Sequence, residues 1–397
     1  MKSNYKHKYF EVKPLLKQFP KARYYFLLGG RAIGKTFPTM KEALQAAIDG
    51  KGAFAYIRRY KETLTDTVLH DLLTPHFEGK SAWLSEYTNG KYNRIGYWRK
   101  RWYLERWTTN EETGEMIREY RHPVAIGLAG AMSTWETDKG PDFGADKNGV
   151  KYIIFDEVLS AGGDYLPDEW TKMQNVISSL VRENWEDDTK IFLLSNPVSK
   201  FGGPYLKNLG ITKKLMKDFG TTLIEYPDDK GQRADMTTVF CYIAPGKNGE
   251  VDSARTALYN KFFAFPSSRG KSMSIVHGYW EMEEANLLPS GVFKDSDEIR
   301  KVYYPFGEDI LCIRIMRYKD NGLYYLFISP ASKVPAGEYF VTLGMTLDRR
   351  GIIGPDTGHP IQEAVKKIAR TNQVYYSDLE TADIWHGWQN EAKKRRA

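Results

Sequence analysis

The sequence predicts an α/β fold in which a parallel sheet comes first and a smaller α+β region closes the chain. Up to about residue 197, short apolar runs of strand length alternate with segments of helical periodicity. From about Lys301, alternating strand patterns and a hairpin signal replace that order. With 42% hydrophobic and 27% charged residues, the composition is that of an ordinary globular protein and excludes wholesale disorder.

The first elements are two strands, each followed by a helix. Five apolar or aromatic residues ended by two glycines predict the first strand, and Gly50 ends the helix after it. The predicted strands are Tyr24–Leu28 and Ala53–Ile57, and the predicted helices are Lys35–Ile48 and Lys61–Leu73. This order is typical of a parallel sheet with crossover helices.

The middle of the chain interrupts this order once. Residues 91–130 are rich in aromatic residues and contain a polar turn with a glycine, which predicts a hairpin inserted between parallel strands. A strand over Lys151–Asp156, a helix over Asp168–Arg182 and a strand over Ile191–Leu194 follow. Within that helix, apolar residues recur at three- and four-residue spacing.

The last hundred residues are predicted to form an α+β domain. Its strongest signal is a hairpin of Ile310–Tyr318 and Leu323–Ser329, in which Asn321 and Gly322 would supply the positive φ angles of a tight turn. A strand over Tyr339–Leu343 and helices over Ile361–Arg370 and Trp385–Arg395 complete it. We therefore divide the chain into a domain over residues 1–240, a connector over 241–297 and a domain over 298–397.

Composition also limits the cellular compartments and the classes of binding partner that fit this protein. Two cysteines cannot build a disulfide framework, which is typical of a reducing compartment. The N-terminal residues MKSNYKHKYF lack the apolar core of a secretory signal, and no apolar run reaches the ~18 residues of a membrane-spanning helix. A net charge of +7 favours a polyanionic partner.

One motif carries specific chemistry: GGRAIGKT fits the spacing G-x-x-x-x-G-K-[ST]. Its glycines let the backbone wrap around phosphate oxygens, and the N-terminus of the next helix adds partial positive charge. Lys35 would reach the β- and γ-phosphates of ATP, and the Thr36 hydroxyl would bind Mg²⁺. An ordinary glycine-rich turn is disfavoured because the motif lies between a predicted strand and a predicted helix. The predicted phosphate-binding residues are Gly29, Gly30, Arg31, Ala32, Ile33, Gly34, Lys35 and Thr36.

Polar residues end two later strands. Asp156 and Glu157 follow the run YIIF. Hydrolysis of ATP needs two carboxylates in different roles, and we expect Asp156 to hold the metal and Glu157 to activate water. Ser195 and Asn196 follow the run IFLL, where they would sense the γ-phosphate and couple hydrolysis to movement. The alternative for this second pair is a simple strand-terminal turn, because Asn-Pro often begins a loop.

An ATP hydrolase of this kind needs an arginine to neutralise the γ-phosphate. Arg31 lies inside the phosphate-binding motif and could act within the chain. Arg182 ends a predicted helix, and we favour it as the arginine that reaches into a neighbouring subunit. Arg58 and Arg59 follow the second strand. The alternative for each of the four is a solvated surface cation.

The order of these motifs resembles the large terminase family of phage DNA-packaging ATPases. The resemblance is carried by GGRAIGKT, AFAYIRRYKETLTDTVLHDL, VAIGLAGAMSTWETDKG, YIIFDE and FLLSNP, over about residues 24–197. Within that family the sequence is most similar to the shorter packaging ATPases of small tailed phages. The resemblance implies an ASCE-type P-loop ATPase domain, a helical connector and a ribonuclease-H-like C-terminal domain.

The resemblance also implies an activity and partners. The activity is hydrolysis of ATP with Mg²⁺, coupled to translocation of double-stranded DNA into a prohead. The implied partners are the portal, a structural RNA in some relatives, and identical subunits in a ring that is pentameric in the family. The implied location is the host cytoplasm, without a membrane partner. The roles carried over are Walker A for Gly29, Gly34, Lys35 and Thr36, Walker B for Asp156 and Glu157, coupling for Ser195 and Asn196, and the trans-acting arginine for Arg182.

The C-terminal region departs from the nuclease domains of full-length terminases, which use clustered acids to hold two metal ions. The predicted first strand, Ile310–Tyr318, contains no acid. Nearby acids are scattered at Asp309, Asp348, Asp356, Asp378 and Asp383. We therefore expect a nuclease-like fold without nuclease activity.

Residues 91–121 are the candidate DNA-contacting segment, because they carry eight basic residues among three tryptophans. A hairpin with a solvated charged face and a packed aromatic face is an equal alternative. A second basic segment is Lys393–Arg396. Two other functions stay open: a helicase-like ATPase that remodels nucleic acid, and a ring assembly protein that nucleotide merely stabilises.

Overall fold

The computed structural model describes residues 10–30, 33–77, 83–137, 149–160, 165–181, 188–198, 204–212, 214–216, 218–227, 233–244, 287–288, 291–306, 309–341, 352–353, 359–371 and 373–394. Within them the chain forms a sheet of ten strands followed by a sheet of six. Helices pack on both sheets. The predicted α/β class, with a smaller α+β part at the end, is confirmed.

The first sheet and its helices hold the predicted phosphate-binding motif. The strands are β1 (Tyr24–Gly29), β2 (Ala53–Arg58), β3 (Arg94–Trp98), β4 (Arg101–Thr109), β5 (Met116–Arg121), β6 (Gly127–Ala131), β7 (Val150–Asp156), β8 (Lys190–Ser195), β9 (Gly220–Pro227) and β10 (Arg233–Ile243). The helices are α1 (Val12–Gln18), α2 (Thr36–Ile48), α3 (Asp66–Phe77), α4 (Trp83–Tyr87), α5 (Glu169–Val181) and α6 (Pro204–Asn208). Instead of one helix over Lys61–Leu73, a 3₁₀ turn at Lys61–Thr63 precedes α3.

The parallel strands lie in the order β6-β2-β7-β8-β1-β10. Strand β8 lies between β1, which leads into the phosphate-binding motif, and β7, which ends in Asp156. A strand inserted between those two is the arrangement of ASCE-type ATPase domains, so the predicted fold class is confirmed. Because parallel strands end at the same edge of a sheet, the polar residues after β1, β7 and β8 come together there.

Helices cover both faces of this sheet. Along β1, Tyr25 and Leu27 pack in the cluster that contains α1 to α4, whereas Phe26 and Leu28 pack in the cluster of α5 and α6. All four side chains are completely buried. Burial on both faces explains why these strands are continuous apolar runs rather than alternating patterns.

Strands β9 and β10 extend the sheet in a way that the sequence does not predict. Strand β10 pairs in parallel with β1 from Thr238 to Ile243 and antiparallel with β9. The sheet therefore continues past residue 240, where we placed the domain boundary. Strand β9 is TTLIEY at its centre, and its alternating half-exposed pattern lacks the apolar run that marks the other strands.

The inserted hairpin is a three-stranded antiparallel extension at the edge of the sheet. Strands β2 and β6 pair directly with each other, so the insertion does not separate parallel strands in space. Strand β4 pairs with β3, with β5 and, at its start, with β6. All six residues of β5 are exposed or half-buried, so this strand lies at the periphery.

The second sheet has the strand order of a ribonuclease-H-like fold. Its strands are β11 (Ser296–Phe306), β12 (Asp309–Tyr318), β13 (Tyr324–Ala331), β14 (Phe340–Val341), β15 (Ile352–Ile353) and β16 (Val374–Tyr376), and its helices are α7 (Pro360–Ala369) and α8 (Leu379–Lys394). The order is β15-β14-β11-β12-β13-β16, with β11 to β13 antiparallel and β14 and β15 parallel to β11. Most of the predicted connector lies outside the described residues.

The predicted hairpin of the second sheet is confirmed, but its turn differs. Strands β12 and β13 are joined by residues 319–323, and the amide of Tyr318 donates to the carbonyl of Leu323. Gly322 has a φ of +69°, whereas Asn321 does not have a positive φ. The side chain of Asn321 instead accepts a hydrogen bond from the amide of Leu323.

The first strand of this sheet is β11 and not Ile310–Tyr318, so the prediction that the first strand contains no acid is wrong. Strand β11 carries Asp297 and Glu298, which form ion pairs with Arg317 and Arg314 on β12. No group of three or more His, Cys, Asp or Glu residues that could hold a metal occurs in the described part of the chain. Of the acids named above, Asp348 and Asp356 lie outside it. The absence of nuclease activity stays a prediction.

Among the described helices, none combines the length and the apolar character needed to cross a bilayer.

Candidate nucleotide-binding site

Glycines shape the loop that follows β1. Gly34 has a φ of +90°, a value that residues with side chains rarely adopt. A Cβ at Gly29 would collide with the end of the Ile33 side chain and lie 3.1 Å from the Cβ of Ile243, so a larger residue would force both neighbours to shift. Gly30 contributes a carbonyl oxygen to the site, while Arg31 and Ala32 lie outside the described residues. Glycine is therefore favoured at both positions, by the backbone conformation at Gly34 and by close packing at Gly29.

Lys35 is the buried cation of the site and is 8% exposed. Its Nζ donates hydrogen bonds to the carbonyl oxygens of Gly29 at 2.6 Å and Gly30 at 2.9 Å. It also donates to Oδ1 of Asn196 at 2.9 Å, which connects the start of α2 with the end of β8. A lysine beside the N-terminus of a helix forms an anion-binding arrangement.

Thr36 and Asp156 face each other across the site. The hydroxyl of Thr36 lies 3.4 Å from Oδ2 of Asp156, and the hydroxyl of Tyr56 donates to the same oxygen at 2.8 Å. Hydroxyl and carboxylate oxygens are ligands that Mg²⁺ prefers, and Mg²⁺ usually combines one or two such groups with water and substrate phosphates. The two predicted metal ligands therefore lie together and fit this ion.

Glu157 directs its carboxylate into the pocket from a left-handed backbone. Its φ is +60°, which costs roughly 1–2 kcal/mol for a residue other than glycine. Its amide donates to Oδ1 of Asp156 at 3.0 Å, and its side chain is 59% exposed. Non-glycine residues in this conformation persist where the surrounding structure holds them, and they cluster at functional sites.

Arg58 contacts both acids, although the sequence favoured a different arginine. Its guanidinium lies 2.9 Å from Oε2 of Glu157 and 3.4 Å from Oδ2 of Asp156. Burial would lower the pKa of Arg58, but Tyr56, Asp156 and Glu157 outweigh it, so the pKa is raised and the charge is retained. The surface-cation alternative is wrong for Arg58. It is also wrong for Arg59, which pairs with a buried glutamate.

Ser195 and Asn196 connect the ends of the neighbouring strands. The buried hydroxyl of Ser195 accepts a hydrogen bond from the amide of Leu159, two residues after Glu157. Asn196 binds Lys35, as described above. The end of β8 therefore contacts both the phosphate-binding motif and the segment after β7, which is more than a strand-terminal turn requires.

These side chains enclose a pocket of about 370 Å³, within the size range of small-molecule sites. It is lined by Gly34, Lys35, Thr36, Phe37, Asp156, Glu157, Ser195 and Asn196. The structure thus brings together the residues predicted as the phosphate-binding lysine, the metal ligands, the water-activating acid and the coupling pair. Arg182, the predicted trans-acting arginine, lies just after α5 and outside the described residues.

The basic hairpin is partly a packed structure and partly an exposed cationic surface. The carboxylate of Glu105, on the otherwise buried part of β4, accepts from Arg118 at 3.2 Å, from Arg121 at 2.6 Å and from the indole of Trp107 at 2.6 Å. Trp102 is completely buried. By contrast, Trp98 is 47% exposed beside the β3–β4 turn. The alternative of a packed hairpin therefore describes β4, whereas the β3–β4 turn carries the exposed cationic surface.

Neither a protein-family model nor a curated protein matches this chain. Among solved structures it is similar to the phi-28 gp11 DNA packaging motor, with 17% sequence identity and a TM-score of 0.51 over 97% of this chain and 98% of that chain. It is also similar to the packaging motor assembly of bacteriophage phi-29, with 16% identity and a TM-score of 0.54 over 97% and 99% of the two chains.

At these identities the likeness establishes a shared fold over nearly the whole chain. The resemblance to phage packaging ATPases, which the motif order indicates over about residues 24–197, is therefore confirmed at the level of the fold and extends to the C-terminal part.

Proposed function

We propose that this chain hydrolyses ATP and uses the released free energy to move double-stranded DNA into a viral prohead. The observation that carries the proposal is the convergence of a buried lysine, a hydroxyl–carboxylate pair and a second carboxylate at one edge of the parallel sheet. The fold shared with two phage packaging motors supports it.

The binding step uses the residues around the phosphate-binding motif. The amides at the start of α2 and the ammonium group of Lys35 bind the phosphates of ATP. Thr36 and Asp156 would hold Mg²⁺, which neutralises developing charge on the β- and γ-phosphates when it is bound. Tyr56 fixes Asp156 by donating to Oδ2, the oxygen that faces Thr36.

The chemical step uses Glu157 as the group that orients water and accepts its proton. Its carboxylate lines the pocket, and Arg58 holds that carboxylate in one direction. Ser195 and Asn196 are the proposed coupling residues, because they connect the motif around Lys35 with the segment that follows Glu157.

The motor would work as a homo-oligomeric ring, with a pentamer as the family precedent. Arg182, the residue after α5, is the proposed arginine that reaches the ATP of the next subunit, and Arg31 is a candidate within the chain. The portal and a structural RNA are proposed partners on the prohead, which assembles in the host cytoplasm. The region over 298–397 is proposed to bind one of these partners or DNA rather than to cut DNA.

Hydrolysis is tested with two substitutions at the site. Glu157→Gln should lower kcat for ATP at least 100-fold and leave nucleotide binding intact, because a general base contributes about 10²–10⁴-fold. Lys35→Ala should abolish binding of a fluorescent ATP analogue. Glu363→Gln is the matched control, since this exposed acid pairs with Lys366 on α7. Normal turnover by Glu157→Gln, or normal binding by Lys35→Ala, would contradict the assignment.

Translocation needs a separate test, because an ATPase of this fold could remodel nucleic acid in other ways. Duplex DNA is offered to the wild-type protein with purified proheads and ATP, and DNA protected from nuclease is measured. Protected DNA that depends on ATP and is absent with Glu157→Gln supports the proposal. Strand separation without protection would identify a helicase. A ring that forms with nucleotide but never turns it over would identify an assembly protein.

A further inference from the structure

A buried polar network lies directly behind the proposed catalytic glutamate. The Nε of Arg59 donates to both carboxylate oxygens of Glu169, at 3.0 and 2.8 Å. The same carboxylate accepts from the hydroxyl of Tyr205 at 2.5 Å and from the amide of Leu166 at 2.7 Å. The side chain of Glu169 is 1% exposed, so its charge is removed from water and satisfied by this set of donors.

The remaining nitrogens of Arg59 bind the backbone that follows β7. One donates to the carbonyl of Val158 at 2.7 Å and the other to the carbonyl of Glu157 at 3.3 Å. The guanidinium also lies over the ring of Tyr165, 4.9 Å from its centroid. The hydroxyl of Tyr165 in turn accepts from the amide of Ser160 at 3.0 Å. The network therefore reaches the backbone at residues 157, 158 and 160.

Two features of this arrangement are costly for a purely structural contact. A buried ion pair is weak evidence for stability, because removing both charges from water offsets much of their attraction. The left-handed backbone of Glu157 adds a further conformational cost. Burial would lower the pKa of Arg59, but its bonds to Glu169 outweigh that effect and raise it, so the guanidinium keeps its charge. Burial and the neighbouring Glu169 likewise raise the pKa of Tyr205 well above its usual value, so its hydroxyl remains a donor.

We propose that Arg59, Glu169 and Tyr205 are positioning residues that hold the backbone of Glu157 in its left-handed conformation and so direct its carboxylate toward the attacking water. This inference rests on the proposed hydrolysis of ATP. Arg59 acts on the backbone of Glu157, whereas Arg58 acts on its side chain. Glu169 opens helix α5, which ends at Val181, so the network also connects the proposed catalytic residue to the helix that precedes Arg182.

The test compares Tyr205→Phe and Arg59→Lys with wild type. Tyr205→Phe removes one hydroxyl and keeps the ring that packs on Trp170. Arg59→Lys keeps the charge and loses the fork that joins Glu169 to two carbonyls. Each should lower kcat about tenfold or more, the usual size of such supporting contacts. KM for ATP and the dissociation constant of an ATP analogue should stay within about twofold, because no ATP-binding group is changed.

Tyr25→Phe is the matched control. Tyr25 is also completely buried and donates one hydrogen bond, to the carbonyl of Phe19, but it packs on the opposite face of the sheet. The thermal unfolding midpoint of Tyr25→Phe should fall about as much as that of Tyr205→Phe, while the kcat of Tyr25→Phe stays at the wild-type value. Should Arg59→Lys fail to fold, Tyr205→Phe and Glu169→Gln still provide the comparison.

Two results overturn the inference in different ways. If Glu157→Gln loses turnover but Tyr205→Phe and Arg59→Lys keep the wild-type kcat, the network is structural and the proposed function stands. If the wild-type protein does not hydrolyse ATP at all, the proposed function fails and the positioning role fails with it.

Discussion

Arg58 and Arg59 are adjacent in the sequence and have different partners. Successive side chains of an extended chain point to opposite sides. Arg58 therefore reaches the carboxylates of Asp156 and Glu157, while Arg59 reaches Glu169 and the carbonyls behind them. One short segment at the end of β2 thus supports both the side chains and the backbone of the proposed catalytic acids.

We expect Arg58→Ala to lower kcat for ATP about tenfold or more. The substitution leaves two neighbouring carboxylates without their shared cation, and truncating one partner of a half-buried charge pair is costly. Binding of an ATP analogue, measured in parallel, should change much less. Arg106→Ala is the control, because Arg106 pairs with Glu119 in an equally short but exposed contact of 2.9 Å. A wild-type kcat for Arg58→Ala would show that the ion pair has no part in the chemical step.

At the scale of residues, the phosphate-binding loop and the acids after β7 could be predicted because their chemistry needs fixed residue types at fixed spacing. The acidic partners of Arg58 could not be predicted, because these contacts depend on the pairing of β2 with β7, which are almost 100 residues apart. The network of Glu169 and Tyr205 could not be predicted either, because its hydrogen bonds also join residues that are far apart in the sequence. An acid at the buried start of an amphipathic helix was the signal available for Glu169.

Among the elements, the turn between β3 and β4 is unusual. Trp98 pairs with Arg101, and the two residues between them, Arg99 and Lys100, have φ values of +49° and +62°. Positive φ at both central positions is typical of a type I′ turn, where Asn-Gly is strongly preferred. The chain accepts conformational strain there, and the turn presents Arg99 over the exposed ring of Trp98.

Replacing Arg99 and Lys100 together by Asn and Gly should therefore stabilise the protein by about 1 kcal/mol, because the strain of two left-handed residues is relieved. If the turn contacts DNA, the same variant should bind duplex DNA more weakly and with a smaller dependence on salt. Urea unfolding and DNA titration at several salt concentrations measure the two effects. Lys51→Gln, which removes an exposed cation paired with Asp49, is the control.

A rise in stability with an unchanged salt dependence would exclude this turn from the DNA contact. It would then favour the packed interpretation of the hairpin, which the contacts of Glu105 already support for β4.

Two of the strands that escaped prediction share a physical cause. Strands β9 and β11 carry polar residues within alternating patterns, so they lack the apolar runs that are typical of buried central strands. Strand β10 does contain such a run, VFCYI over residues 239–243, which we did not predict as a strand. The Arg-Lys turn contains neither glycine nor asparagine, the residues that mark such turns in a sequence. By contrast, α2 and α5 follow the predicted spacing to within a few residues, because each covers one face of the sheet.

At the scale of the whole molecule, the α/β class follows from the alternation of strands and helices. The strand order does not, since alternation alone does not say that β8 lies between β1 and β7. The resemblance to packaging ATPases implied an ASCE-type domain, with which that order agrees. The resemblance also supplied the ribonuclease-H-like prediction, with which the strand order of the second sheet agrees. The first strand of that sheet was predicted from the hairpin pattern instead, and that position is wrong by one strand.

The contacts of Lys35 have a consequence for how the protein would respond to a bound phosphate. An ammonium group has three hydrogens, and among the described residues those of Lys35 meet at least three acceptors, two loop carbonyls and the Asn196 amide oxygen. A phosphate oxygen that enters the pocket must displace one of them. We expect binding to be an exchange of acceptors, in which the loss of the contact to Asn196 would link occupancy of the pocket to the end of β8.

Asn196→Ala should accordingly tighten binding of a non-hydrolysable ATP analogue about fivefold, the equivalent of one hydrogen bond of ~1 kcal/mol that no longer competes. The same variant should hydrolyse ATP without moving DNA efficiently, since the exchange no longer reports occupancy to β8. Asn208→Ala, an exposed amide that donates to the carbonyl of Pro204, should alter neither property. Weaker binding by Asn196→Ala would mean that Asn196 helps to bind the phosphate. The phosphate oxygen would then replace one of the loop carbonyls, not Asn196, as an acceptor of Lys35.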